Sequence, residues 1–202
     1  MEALAAIKTR RSTRRYKQTP VPPELLEQVL EAGRHAPSGG NNQSTHLLVI
    51  QNPAVLRQIN RLARDEFRGM EVTPGMYRSM ANAVRGSRSD DYCLYYHAPV
   101  LILTANRIDY PNNIADCACV LENMMVAANA LDLGSCWINQ LRWLNEAPVV
   151  TEYLNTLGLA EGERVYGGLS LGWPDTEDGL PQRVPLERTG NPVTMIGESF
   201  SV

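Results

Sequence analysis

The sequence predicts an α+β fold, helices and short strands layered about a sheet, and three features of the chain point there. Residues 46–50 and 98–105 are short, nearly unbroken apolar runs of the kind that form buried strands. Residues 114–133 carry the longest helical pattern, apolar on nearly every face, which suits a helix in the centre of the core. Helical and strand patterns alternate irregularly along the chain, with no internal repeat, heptad or low-complexity tract, and that order favours a layered α+β arrangement.

In chain order, Leu4, Ala5 and Ile7 place a helix over residues 2–9 that ends at a run of arginines. The segment 19–24 breaks any helix with three prolines, and Pro23 and Glu24 then suit the first turn of a second helix running to about Arg34. A polar loop over 35–43 leads to the strand 46–50, and 53–67 reads as a surface helix with Val55, Leu56, Ile59 and Leu62 on one side. From 68 to 91 the pattern weakens to at most short helical pieces, a composition that suits a cover or a plain connection. Pro99 bounds the strand 98–105, Gly134 stops the long helix, 135–138 is a short third strand, and 139–143 is the turn after it. A helix over 148–157 and a glycine-weakened strand over 164–172 follow; the last thirty residues are too polar to build a core of their own.

Composition narrows the class. A chain of 202 residues is long enough for one ordinary domain, here expected to span 1–202, and 44% hydrophobic with 20% charged residues is typical of a globular protein. The net charge of -3 supplies no general field for nucleic acid. No run of eighteen apolar residues occurs and the N-terminal apolar run is too short for a secretory signal, so no membrane span and a cytoplasmic location are expected. Cys93, Cys117, Cys119 and Cys136 lack paired C-x-x-C spacing and read as reduced, mostly buried thiols, with Cys117 and Cys119 on different faces of their helix.

Against this background Arg10-Arg11-Ser12-Thr13-Arg14-Arg15-Tyr16 stands out, with four arginines in six positions. Two readings compete. The run is either a solvated helix face or a seat for an anion, for which guanidinium forks fit phosphate oxygens two at a time and Ser12 adds a neutral donor. The loop Ala36-Pro37-Ser38-Gly39-Gly40-Asn41-Asn42-Gln43 offers close backbone approach at its glycines and amide donors and acceptors beside them. Phosphate-loop and dinucleotide glycine patterns are missing, no nucleophile elbow is expected, and His35, His46 and His97 stand in no ligand-spaced or nucleophile-paired motif. An arginine cluster without catalytic side chains suggests that a bound cofactor carries the chemistry.

The order RRSTRRY, APSGGNNQ, a long helix into LDLGSCWI, and GGLSLGWPD followed by PQRVPLE resembles the FMN-dependent nitroreductases over most of the chain. The resemblance implies a mixed, mainly antiparallel sheet flanked by helices, in an intertwined homodimer whose C-terminal arm, about 175–202, reaches over the partner. It implies that Arg10, Arg11, Ser12, Arg14 and Arg183 hold the FMN phosphate and ribityl chain. Pro37, Ser38, Gly39 and Gly40 would lie along the isoalloxazine from the other subunit, with Asn41 and Gln43 close to the flavin, and the backbone of Ile138, Asn139 and Gln140 would point at flavin N5 and O4. NADH or NADPH would be the electron donor, and a small molecule, nitroaromatic, quinone or similar, the acceptor, in ping-pong hydride transfer. Two other activities fit the same resemblance: a branch with different flavin chemistry, such as reductive dehalogenation or enone reduction, and a flavin-binding sensor without turnover. Two departures stand in this sequence: Ser44-Thr45-His46 where relatives commonly continue Pro-Trp, and side chains at both Asn139 and Gln140 where many have a glycine pair or an acidic-glycine pair.

Overall fold

The computed structural model describes residues 1–197. Helices α1 (Ala3–Thr9) and α2 (Pro23–Arg34) open the chain, and Pro23 sits in the first turn of α2, where a missing N–H leaves nothing unsatisfied. A 3-10 turn, Gly39–Asn41, precedes β1 (His46–Ile50), and α3 (Pro53–Arg68) follows, capped by the Asn52 side chain on the Ala54 and Val55 amides. Then come α4 (Arg78–Gly86), β2 (Val100–Arg107), α5 (Asn113–Ala130), β3 (Gly134–Ile138), the single turn α6 (Gln140–Trp143), α7 (Pro148–Thr156) and β4 (Glu163–Gly172).

The strands form one sheet in the order β1-β2-β4-β3, and every neighbouring pair is antiparallel. The mixed character expected of it rests, among the described residues, on one parallel bridge, Ser12 to Ser135, on the outer side of β3. Alternation along β2 divides the core. Val100 and Ile102 face a cluster with Val29 of α2 and Leu121 and Met124 of α5, while Leu101, Leu103 and Ala105 face a second cluster with Ile59 and Phe67 of α3 and Leu154 of α7. Helices therefore cover both faces of the sheet.

Several boundaries differ from the sequence reading, each for a local reason. β2 starts and ends two residues later than expected, because its polar end, Asn106 and Arg107, still pairs with Arg164 and Glu163. α5 ends at Ala130 instead of running to 133: Asp132 adopts φ 63°, and Leu133 N–H closes on the Ala128 carbonyl at 2.8 Å, a Schellman end with aspartate where glycine is usual. α4 is a full helix of nine residues in a stretch read as weakly patterned; its buried residues are Ala81, Ala83 and Val84, too small to give a strong apolar stripe. α5 buries Cys117, Val120, Leu121, Met124, Met125 and Ala128, yet Ile114 is exposed and Cys119 only half-buried, so one flank of this central helix is uncovered in a single chain. Beyond β4 the chain is extended, with Val184, Leu186, Val193, Met195 and Ile196 exposed, and residues 198–202 of the expected arm lie outside the described residues.

All four cysteines are free; Cys117 and Cys136 are buried and the other two half-buried. Burial pushes the Cys117 thiol up from 9.0 to about 12, with hydrogen bonding to Thr45 and Thr104 opposing. Between those two values the unfolded chain releases this proton and the folded chain keeps it, so the thiol's contribution to stability is lost as pH rises from about 9 to about 12. Urea unfolding followed from pH 8 to 11 should therefore show a downward slope that is shallower in Cys117→Ala.

Candidate functional site

The arginine run is not a helix face. α1 ends at Thr9, and residues 10–16 lie extended beside β3, with Thr13 N–H donating to the Ser135 carbonyl at 2.9 Å. Gly134 makes this approach possible, because a Cβ there would stand 2.7 Å from the Thr13 side chain. Tyr16 ends the segment buried, its hydroxyl donating to the Thr13 carbonyl at 2.7 Å. Arg10 and Arg11 are half-buried, while Ser12, Arg14 and Arg15 are exposed.

Positive charge on this strip is scarcely neutralised. Arg10 is the only one of its four arginines with an ion-pair partner among the described residues, Glu122 at 3.8 Å. Arg11 donates to the Val184 carbonyl at 3.0 Å, which brings Arg183 to the same end of the strip. Arg183 itself is engaged, with its guanidinium bonded to Asp132 and to the Asn129 carbonyl at the end of α5. For Arg14, partial burial works against the cation, but the Cys136 sulfur and the Tyr96 hydroxyl more than offset it, and the net pKa is raised. Burial pushes the Cys136 thiol up although Arg14 and Arg10 pull it down. Unpaired guanidiniums in a row attract an anion.

From Arg14 the strip opens into a cleft of about 630 Å³ lined by α4, the turn 89–97 and Gln140. Tyr96 and His97 on its wall adopt successive left-handed conformations, φ 54° and 57°. Each such residue costs on the order of 1–3 kcal/mol and persists only where its surroundings hold it. Here Gln18 donates to the His97 carbonyl at 2.9 Å, the His97 amide contacts the Cys93 sulfur at 3.2 Å, and the Tyr96 ring lies 5.8 Å from the Arg14 guanidinium carbon. The Tyr92 hydroxyl is buried with no hydrogen-bond partner, and burial keeps that phenol protonated well above its ordinary range. Next to Gln140, which lines the cleft, the Asn139 amide donates to the Gln140 side-chain oxygen at 3.0 Å, and the Asn139 side chain accepts from the Trp137 indole at 2.8 Å. Ile138 is buried and presents only its backbone.

The loop with Pro37, Ser38, Gly39, Gly40, Asn41 and Gln43 is elsewhere. The Gly39 amide donates to Asp116 in the first turn of α5 at 3.1 Å, whereas Arg183 is bound at Asn129, thirteen residues further on, or about 20 Å along the helix. Pro37, Gly40, Asn41 and Gln43 are exposed, with Ser38 and Gly39 half-buried. So the structure brings Arg10, Arg11, Ser12, Arg14, Arg183 and the turn 138–140 to one place, and holds the loop 37–43 apart from them in the same chain. Neither departure from the usual pattern breaks the fold: His46 opens β1 and pairs with Glu163 at 2.8 Å, and the side chains of Asn139 and Gln140 are absorbed by hydrogen bonds.

The cleft residues Asn82, Tyr92 and Tyr96 fall in the stretch 70–96, whose Met and Tyr content suits either an acceptor-pocket cover or plain packing, but nothing in the sequence singles them out individually. The loop anchor Asp116, in an apolar helix, had no distinct signal. Conversely, Gly168-Leu169-Ser170-Leu171-Gly172 does spell G-x-S-x-G, but Ser170 is fully buried within β4 and is no nucleophile. Among the described residues no helix is long and apolar enough to cross a membrane, and no cluster of three potential metal ligands occurs.

Comparison with known proteins gives a consistent result. The family model described as the Nitroreductase family matches residues 7–173. The chain is 34% identical to a nitroreductase with bound FMN from Bacteroides fragilis, whose crystal structure superimposes with a TM-score of 0.85 over 98% of this chain and 100% of that one. It is 30% identical to a nitrobenzene nitroreductase of Ectopseudomonas oleovorans across 87% of each chain. A chloronitrobenzene nitroreductase of Comamonas testosteroni is 28% identical across 90% of this chain and 92% of its own.

Seating the arginine strip on β3 depends on the missing Cβ at residue 134. Gly134→Ala is expected to lower unfolding stability by about 1–3 kcal/mol, the range for overpacking a close contact, as read by urea titration.

Proposed function

The chain belongs to the nitroreductase family, and on that premise we propose that it is an FMN-dependent oxidoreductase that takes electrons from NADH or NADPH and reduces nitroaromatic, quinone or similar small acceptors. The observation that carries this reading is the scarcely neutralised strip Arg10-Arg11-Ser12-Arg14 on the edge of β3, running into a cleft that ends at the Asn139–Gln140 turn. Its residues fit the cofactor. Arg10, Arg11 and Ser12 are donors for the phosphate, and Arg183 joins them by exchanging Asp132 for a phosphate oxygen. Arg14 serves the ribityl chain.

When bound, FMN supplies the redox chemistry, accepting a hydride from the nicotinamide and passing electrons to the acceptor in a second half-reaction. The chain supplies binding and polarity. The Asn139 amide, which now donates to the Gln140 side-chain oxygen, would become a free donor for the flavin once that side chain swings aside. A donor there favours negative charge on the ring. α4 and the turn 89–97 would form a wall beside the bound ring, and no side-chain nucleophile or metal is required.

The site is completed by a second chain. The loop 37–43 serves the arginine strip of a partner, because within one chain α5 holds the two apart. An uncovered flank on α5 and an extended tail with exposed Val184, Leu186 and Ile196 support a homodimer. Cytoplasmic operation fits the free thiols.

Purified protein reconstituted with FMN and desalted should retain about one flavin per chain, bleach under anaerobic NADH or NADPH, and regain its colour with nitrobenzene. Retention without bleaching points instead to a flavin-binding protein without turnover. In Arg11→Ala/Arg14→Ala, with two charge-assisted contacts of roughly 1.5–3 kcal/mol each removed, the Kd for FMN should rise on the order of 100-fold or more while the far-ultraviolet circular dichroism stays the same.

A further inference from the structure

The loop 37–43 keeps a shape that its own backbone disfavours. Gly40, Asn41 and Gln43 all adopt left-handed conformations, φ 60°, 56° and 51°, and glutamine has neither glycine's freedom nor a short side chain suited to that region. The loop is largely exposed, so packing does not hold it. Hydrogen bonds at its base do. Ser38 accepts the Gln43 amide at 2.9 Å through its hydroxyl and the Asn41 amide at 2.9 Å through its carbonyl.

The second tie crosses the fold. Asp116, only 4% exposed, accepts the Gly39 amide on both carboxylate oxygens at 3.1 and 3.3 Å, and accepts the Tyr110 hydroxyl at 2.8 Å. That hydroxyl also lies 3.1 Å from the Gly39 carbonyl. A buried carboxylate in the first turn of a helix is favoured by the helix dipole, and its hydrogen bond to a backbone amide is charge-assisted. The fit around Gly39 is close: a Cβ there would stand 2.0 Å from the Asn112 side-chain nitrogen and 2.8 Å from the Tyr110 oxygen. Asp116 forms no ion pair among the described residues; its partners are the loop and Tyr110.

We propose that Asp116 and Tyr110 are positioning residues for the redox site of the neighbouring chain: they grip Gly39 and thereby preset the left-handed Gly40, Asn41 and Gln43 in the geometry that meets the partner's flavin. This rests on the reading of the protein as an FMN-binding homodimer. The latch touches neither flavin nor acceptor and acts through the loop alone.

Complementation between chains tests it. Asp116→Leu removes both acceptor oxygens and is expected to raise the Kd for FMN about tenfold to a hundredfold, the worth of a hydrogen bond to a charged group. Asp116→Asn keeps one acceptor for the Gly39 amide and should restore most of the affinity; Tyr110→Phe should weaken it by a smaller factor. When Asp116→Leu chains are co-expressed with Arg11→Ala/Arg14→Ala chains under separate tags, the mixed dimer joins an intact arginine strip to an intact partner loop at one site. It should regain one tight FMN per dimer, which a merely damaged fold would not give. If Asp116→Leu dimers bind FMN as the wild type does, or the mixed dimer regains no tight site, the latch is refuted while the flavin reading stands. A wild-type chain that binds no FMN removes both.

Discussion

Burial of α5 is the constraint on which the rest of the structure depends. Leu121, Met124 and Ala128 are fully buried against the sheet and α2, so the helix can neither slide nor turn without opening the core. Its eighteen residues make it about 27 Å long. Whatever is attached at its two ends is held apart by that length. One end grips the loop at Gly39, and the other binds Arg183 and, through Asn129, the carbonyl of Ala6 in α1. The loop at Gly39 and the guanidinium of Arg183, both proposed to serve the ligand, sit at opposite ends of one rigid rod, and this separation is the physical reason for reading the site as one shared between two chains.

The second constraint is the edge of β3. An edge strand with unpaired backbone groups invites another segment, and here residues 12–13 take part of that edge. Asp132 and Gly134 arrange this between them: the left-handed aspartate ends α5, and the missing side chain at 134 gives Thr13 its seat. The arginines are thereby displayed beside the sheet instead of dispersed on a helix. With Glu122 the single ion-pair partner among the described residues, the strip keeps most of its positive field.

Features contiguous in the chain were legible in the sequence. The apolar run of β1 and the proline-opened α2 fall where the residue pattern puts them, and RRSTRRY and APSGGNNQ pointed to the family that the comparisons show. Legibility failed where small residues or tertiary contacts decide. Alanines bury α4 without announcing a helix, and Leu131 and Leu133 continue the apolar pattern past a turn that Asp132 enforces. The anchor at Asp116 joins residues 77 apart in sequence, and nothing local to either partner reveals it. Gln140 as a cap on the Asn139 amide was equally hidden, since it depends on the rotamer the side chain adopts once folded.

Sharing of the site between chains is the central claim, and dilution tests it most directly. Holoprotein is diluted through the range in which its mass, read by light scattering, falls from two chains to one, while flavin fluorescence reports free FMN. The account predicts that FMN is released over the same concentrations at which the dimer dissociates. A monomer that keeps one tightly bound FMN would contradict it.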